Sequence, residues 1–354
     1  MHKLLALVIS GMVFIPCHIA RAAELDAVLS DLEANIRSGG FPNLHSVILE
    51  KSGTRLAEWY FSGTDEKRGD QIGNVRFNAE TVHDVRSVTK SVVSILFGIA
   101  RGEGLIGNLD VPVIDFFPEY ADLRTPEIDK ITLQHVLFMA SGLKWDERTY
   151  PYTDPRNSET SMDQARDKVR HIFSQPVVAP PGEVFSYSGG DVALIAEVIS
   201  RATKMPLERY AETKLFEPLG IRKYEWLKDA TGKPIAASGL RLLPLDMIKI
   251  GEVMRDGGQF RKKRIVPAAW VATVTGAVSD KPCEMRDRYF WWSMSACPAR
   301  NHPAWYAAMG NGGQHIVVVP SANVVLVTTT GNYNSAAGDK VADDVLLKVF
   351  SGLR

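Results

Sequence analysis

Ser87-Val88-Thr89-Lys90, followed almost at once by the apolar run Val92-Val93-Ser94-Ile95-Leu96-Phe97-Gly98-Ile99-Ala100, is the stretch on which the reading of this chain turns. A serine and a lysine three apart on a helix lie on one face, a turn from each other. A serine in the first turn also feels the positive end of the helix dipole. Its hydroxyl is a poor nucleophile until a base takes the proton, and a neutral lysine can be that base. Taken alone the pattern is weak, because a capping serine and a lysine whose stem lies along apolar surface give the same letters. It also recurs at Ser141-Gly142-Leu143-Lys144. There Gly142 ends the helical stretch 133–140, so serine and lysine straddle a turn and the copy reads as structural.

Outward from Ser87, the N-terminal side shows helical spacing over 24–38, closed by Gly39-Gly40, then strand runs at 46–49 and 56–61 around Lys51-Ser52-Gly53-Thr54. From 132 to about 275 the pattern is mainly helical, with pieces at 133–140, 191–202, 206–215 and 244–255 punctuated by Gly and Pro. Strand signals return at 289–292, 315–319 and 323–330, the last two joined across Pro320-Ser321-Ala322, and 339–350 reads as a closing helix. Strands at both ends with helices between predict an α+β fold. One antiparallel sheet is built from both terminal segments and flanked by helices, with a mainly helical lobe inserted. The sheet lobe is expected over about 23–85 and 286–354, the helical lobe over about 100–285.

Composition narrows the function classes. The chain has 354 residues, 41 basic against 41 acidic, so no basic stripe points to nucleic acid. His2 and Lys3, the apolar run 4–15 and Ala20-Arg21-Ala22 read as a secretory signal, 1–22, cleaved near Ala22, with an uncleaved anchor as the alternative. The expectation is a single domain, 23–354, exported to the periplasm or secreted, with no membrane span after signal removal. Cys283 and Cys297 then remain; an oxidising compartment permits a disulfide, and two buried thiols are the other reading. Eight scattered histidines show no metal-binding spacing, and Gly310 to Gly313 lacks the lysine of a phosphate loop, so no metal or cofactor is expected. His315, on an apolar strand, reads as a packed or rim residue rather than the base of a triad.

Two further segments carry chemistry. Pro180-Pro181-Gly182-Glu183-Val184-Phe185-Ser186-Tyr187-Ser188-Gly189-Gly190 is a turn-rich loop entering a helix. Tyr187 on it can project into a cleft, where a neighbouring ammonium eases ionisation of the phenol and lets it pass a proton. Ala308-Met309-Gly310-Asn311-Gly312-Gly313-Gln314 leads into a strand. Glycines at such an edge let a substrate approach the backbone, and a backbone N–H there, with that of Ser87, can form an oxyanion hole. Trp145, Tyr150, Tyr152, Trp291, Trp292, Trp305 and Tyr306 are candidates for a pocket wall or for core.

These three segments, in this order, resemble the serine β-lactamase and penicillin-binding-protein superfamily, for which Ser-x-x-Lys is a known signature. The similarity is strongest to the class C β-lactamase-like branch, which includes family VIII carboxylesterases and 6-aminohexanoate-dimer hydrolases. Supporting text includes Ile131 to Leu143, Phe216-Glu217-Pro218-Leu219-Gly220-Ile221, Ser238-Gly239-Leu240-Arg241 and Gly312-Gly313-Gln314. The resemblance implies Ser87 as acyl-accepting nucleophile, Lys90 as base and Tyr187 as proton shuttle. It also implies the backbone N–H groups of Ser87 and Asn311 as oxyanion hole, with Gly310, Gly312 and Gly313 beside the substrate. Two positions depart from the branch. Gly189 stands where asparagine is frequent two residues after the tyrosine, and Ala308-Met309-Gly310 lacks the lysine that meets a substrate carboxylate. The expected substrate is therefore a small carboxylic ester or linear amide. β-Lactam or D-alanyl-D-alanine peptide turnover, and a non-catalytic cell-wall-fragment binder, are the alternatives. Oligomeric state is not legible.

Overall fold

The computed structural model describes residues 17–276 and 280–353; most of the expected leader, 1–16, lies outside the described residues. Helix α1 (Cys17–Arg37) leads into β1 (Leu44–Lys51), β2 (Thr54–Tyr60), β3 (Ser62–Lys67), β4 (Asp70–Arg76), β5 (His83–Asp84) and α2 (Val88–Gly102). The middle of the chain supplies α3 (Leu133–Leu137), α4 (Ser158–Gln164), α5 (Lys168–Phe173), α6 (Gly189–Thr203), α7 (Leu207–Ala211) and α8 (Glu217–Leu219). Short strands β6 (Tyr224–Trp226) and β7 (Leu240–Leu242), helix α9 (Pro244–Arg255), β8 (Gln259–Phe260), β9 (Lys263–Arg264) and α10 (Ala268–Thr275) follow. The chain closes with β10 (Met285–Arg288), β11 (Trp291–Met294), β12 (Trp305–Gly310), β13 (Gln314–Val319), β14 (Val324–Thr330) and α11 (Ala336–Gly352).

The main sheet has seven antiparallel strands in the order β10-β11-β12-β13-β14-β1-β2. Both ends of the chain thus meet in one sheet, with Ile48 of β1 opposite Val327 of β14. Side chains alternate between faces with period two. Val317, Val319, Val47 and Leu49 pack with Leu25, Leu29 and Leu32 of α1 and Val345 and Val349 of α11. Ile316, Val318 and Ile48 face the opposite way, into the core shared with α2, α6 and α9. Both faces are covered, so β13 and β14 read as continuous apolar runs. Helix α2 is buried at every residue from Val88 to Ala100. A helix buried on every side lies in the interior, its polar Thr89, Lys90, Ser91 and Ser94 included, and here it runs between the sheet and the helical lobe. Gly98 permits that fit, since a Cβ there would stand 2.0 Å from Cδ1 of Trp270.

The structure departs from the sequence pattern in instructive places. The expected strand at 289–292 is instead a tight turn and a strand start: Tyr289 (φ 55°) and Phe290 (φ 65°) link β10 to β11 in the left-handed region. Two aromatics are poor residues for such a turn, and tertiary contacts hold it. Tyr289 N–H donates to the Leu137 carbonyl at 3.0 Å, and the Phe290 carbonyl accepts from Ser91 Oγ at 2.6 Å. The helix expected over 133–140 ends at Leu137 because Met139 has φ 50°. Cys283 and Cys297 are joined as a disulfide across the base of the β10–β11 hairpin, which settles the question their spacing left open.

Candidate active site

Ser87 sits at the N-terminus of α2, directly after Arg86, which adopts φ 49°. The turn is pinned by Val88 N–H donating to the Val85 carbonyl at 3.1 Å and by Thr89 Oγ1 donating to the Arg86 carbonyl at 2.6 Å. Leu240 N–H of β7 donates in turn to Thr89 Oγ1 at 3.1 Å, which ties the first turn of α2 to the neighbouring strand. The Ser87 hydroxyl caps no helix N–H. It accepts instead from Lys90 Nζ at 3.2 Å, as the one-turn spacing requires.

Lys90 is buried. Its Nζ also donates to the Ala237 carbonyl at 2.9 Å, stands 3.5 Å from Glu159 Oε2 and lies 4.9 Å from the ring centre of Tyr187. Burial alone would lower the pKa of this ammonium. Its electrostatic interactions with Tyr187, then with Glu159 and Glu147, outweigh burial and hold it above the usual lysine range. Lys90 is therefore an ammonium at neutral pH, and the simple picture of a neutral lysine waiting beside the serine needs correction. Tyr187 interacts through its hydroxyl with both Ser87 and Lys90. Burial pushes its phenol up to about 12, against the pull of Lys90. The expectation that a neighbouring ammonium would ease its ionisation is thus outweighed by desolvation.

Tyr187 is presented at the entry to α6, where Ser188 caps the helix by accepting from Asp191 N–H at 3.0 Å. Asn311 follows β12, and its side chain accepts from Asn334 N–H at 2.7 Å. Among the described residues the backbone N–H groups of Ser87 and Asn311 donate to no protein acceptor. Both residues line the same cleft. Gly310 also lines it, whereas Gly312 and Gly313 are buried and line neither wall. These two glycines serve packing rather than substrate approach. Both have positive φ, and a Cβ would stand 3.0 Å from Tyr333 Cα at position 312 and 2.5 Å from the Gly338 carbonyl at 313.

Two grooves meet at Ser87. One, of about 370 Å³, runs past Arg68, Glu159, Asp163 and Ser238. The other, of about 400 Å³, runs past Tyr187, Trp292, Met285 and Met309 towards His315. Trp292 stacks on Tyr187 with ring centres 6.4 Å apart, and Tyr152 borders both grooves. Trp145, Trp291, Trp305 and Tyr306 are core residues. Burial pushes the His315 imidazole down to about 4, so it is neutral there. In the second Ser-x-x-Lys, Ser141 is buried against Asp191 while Lys144 is exposed, so the pair does not meet. Sequence reasoning missed the buried carboxyls of Glu147 and Glu159, which carry no motif and reach the site only through the fold. His45, Asp65 and His83 also cluster, but His45 Nδ1 and His83 Nε2 hydrogen-bond to each other at 2.8 Å and Tyr333 bonds Asp65, so the group is a core network.

A family model described as beta-lactamase matches residues 29–349. A Salmonella typhi protein provisionally named D-alanyl-D-alanine carboxypeptidase is 25% identical over 210 residues, covering 57% of this chain and 48% of that protein. The chain thus spans about half the length of the curated relatives it matches. Among solved structures, EstCE1, described as a hydrolase with promiscuous acyltransferase activity, aligns with a TM-score of 0.71 at 17% identity, over 95% of this chain and 99% of its own. A Bacillus anthracis protein provisionally named 6-aminohexanoate-dimer hydrolase gives 0.70 at 19%, over 87% and 79%. At such identities the structural likeness speaks for the fold.

Proposed function

This chain belongs to the β-lactamase family of serine hydrolases, and on that premise we propose that it is an exported hydrolase that cleaves small carboxylic esters or linear amides through an acyl-enzyme. The observation that carries the reading is the Lys90 Nζ to Ser87 Oγ contact of 3.2 Å at a cleft where two backbone N–H groups lack acceptors. Ser87 attacks the carbonyl, and its proton passes to the Lys90–Tyr187 pair. The resting pair holds both protons, so the reactive form is the one that has lost one of them, and acylation rises with pH. The carbonyl oxygen turns towards the N–H groups of Ser87 and Asn311. Each such donor is worth roughly 100- to 1,000-fold in rate. The pair returns the proton to the leaving group, and water releases the acid.

The wall of Trp292, Met285 and Met309 suits an aliphatic or aromatic substrate arm, and the groove past Arg68 and Ser238 can take the other. The Cys283–Cys297 disulfide favours an oxidising compartment. The test is labelling with a fluorophosphonate and mass mapping of the adduct. An adduct on Ser87 is expected, and one on any other serine overturns the assignment. A second reading, a β-lactam or peptide carboxylate as substrate, is favoured by Arg148, which borders the groove of Trp292 and Met285 and makes no side-chain ion pair or hydrogen bond among the described residues. Nitrocefin turnover above that of short-chain esters, lost in Arg148→Ala, would establish it.

A further inference from the structure

The groove that runs from Ser87 past Trp292, Met285 and Met309 is also bordered by His315. His315 lies inside β13, where its backbone pairs with Met309 of β12 on one side and Thr328 of β14 on the other. The ladder occupies the main chain, so what the residue turns to the groove is its imidazole. The residue is only 2% exposed, and neither ring nitrogen has a hydrogen-bond or ion-pair partner among the described residues. The neighbours explain why. Met309 offers only a thioether, a weak acceptor. The Thr328 hydroxyl donates to the Gly313 carbonyl at 3.0 Å. Asp339, in the first turn of α11 and on the same groove, is engaged by the N–H groups of Gly312 and Gly313. Burial alone acts on the ionisation of the ring, with no charge or hydrogen bond beside it, and the ring stays neutral above about pH 4.

From this geometry we propose that His315 is a substrate-binding residue, whose imidazole hydrogen-bonds a neutral polar group, an amide or a hydroxyl, on the substrate arm that fills this groove. The inference rests on the serine-hydrolase reading of the site and specifies the chemistry of one arm of its substrate. A buried polar group without a partner costs the fold free energy, and an arm that brings the partner recovers it. A neutral imidazole offers one N–H donor and one bare nitrogen acceptor. An amide or a hydroxyl, each both donor and acceptor, can meet either. An alkyl end would leave both nitrogens stranded. A carboxylate end would bring its charge towards the Asp339 carboxyl on the same groove. Met285, Met309 and Trp292 make the wall between Ser87 and His315 apolar, and a few polar groups on such a wall are what fix a ligand's orientation. Asn311 follows Met309, the cross-strand partner of His315, by two residues. About 7 Å of strand therefore separates that register position from the Asn311 N–H. The polar group of the substrate should stand several bonds from the scissile carbonyl, not next to it.

The experiment compares kcat/KM in the full chain for esters of increasing chain length that end in an N-methylamide, an alkyl group of equal length or a carboxylate. Either arm of a substrate can enter the groove, so two series are used. One carries the end group on the acyl chain of a nitrophenyl ester, the other on the alcohol of an acetate, followed by acid release. The readout is the amide-to-alkyl ratio within each protein, in which a general change of activity cancels. In the unsubstituted protein the ratio should pass through a maximum at one chain length. At that length it should fall roughly 5- to 150-fold in His315→Phe, the equivalent of one buried polar group left unpaired. A ratio with no maximum in the unsubstituted protein, a maximum that survives the substitution, or a carboxylate end preferred to the amide overturns the proposal. Should His315→Phe not fold by circular dichroism, His315→Leu decides by the same ratio. Turnover of no ester in either series, with no fluorophosphonate adduct on Ser87, would instead sink the hydrolase reading.

Discussion

Replacing Gly310 with alanine tests how closely the sheet must meet the nucleophile. Gly310 ends β12 without a positive φ, so backbone strain is not at issue and only space matters. A Cβ there would stand 2.2 Å from the Val85 carbonyl oxygen and 3.2 Å from the Cβ atoms of Arg86 and Gln314. The Val85 oxygen cannot easily give way. It accepts the Val88 N–H that opens α2, and Val85 N–H is bound to the Leu240 carbonyl, each at 3.1 Å. Ordinary contact therefore requires the end of β12, with Asn311 attached, to move about 1 Å from Ser87, a displacement that costs roughly 100-fold in rate. That is ~2.7 kcal/mol of transition-state stabilisation, while overpacking of this kind destabilises a fold by about 1–3 kcal/mol. The assay is kcat for a nitrophenyl ester, with the melting temperature measured in parallel. Gly107→Ala is the control, because nothing lies within 4 Å of a Cβ at that position. A Gly310→Ala enzyme with kcat within a factor of ~3 of the unsubstituted protein, against the ~100-fold loss expected, would refute the claim that these donors are held by this contact.

Lys90→Ala leaves the buried Glu159 carboxylate with Arg68, 3.6 Å away, as its remaining counter-charge; breaking a buried pair costs up to about 3–5 kcal/mol, and urea denaturation should show a loss within that bound together with loss of ester hydrolysis. Asp191 is buried, and burial raises its carboxyl to about 7 despite hydrogen bonds from Ser141 and Ser188. Its folded pKa lies above its unfolded value of 3.8, so the fold binds the extra proton and stability falls as pH rises from about 4 to 7. Asp191→Asn should flatten that fall between about pH 4 and 7 in urea titrations; an equal fall in both proteins would contradict it. Reduction of the Cys283–Cys297 bond, which closes a sequence separation of 14, should cost about 3 kcal/mol in the chain-entropy account, read as a lower melting temperature in reductant.

The fold was legible where hydrophobic period and turn chemistry agreed. The continuous apolar runs of β13 and β14, and the glycine-bearing turn between β1 and β2, gave their positions to within a few residues. Strand β12 was not foreseen because Trp305-Tyr306-Ala307-Ala308-Met309-Gly310 has no β-branched residue, and its strand state comes from pairing on both edges. The exposed β3–β4 hairpin has no apolar face to announce it. In the site, Ser87, Lys90 and Tyr187 were legible because their chemistry travels with local spacing or a distinctive loop. Glu147 and Glu159 were not. A glutamate twelve residues from another, in a polar stretch, looks like solvated surface until the α4 segment folds it over Gly189.

That difference reflects how the cleft divides its work. The free N–H of Asn311 belongs to the sheet, at the end of β12. Tyr187, Glu147 and Glu159, titratable groups that act on Lys90, belong to the helical lobe. Helix α2 joins them, since its first turn carries both Ser87 and Lys90 and its body is enclosed by both lobes. A buried helix cannot shift without repacking neighbours at close-packed density, so the Ser87–Lys90 geometry is insulated from surface change. The charge on Lys90 is not insulated in that way. It depends on Glu147 and Glu159, side chains on a separate segment. Substitutions in the 145–165 segment should therefore alter the pH at which Ser87 reacts without disturbing the distance between Ser87 and Lys90, whereas substitutions in the body of α2, such as Gly98→Ala against Trp270, should disturb the distance itself.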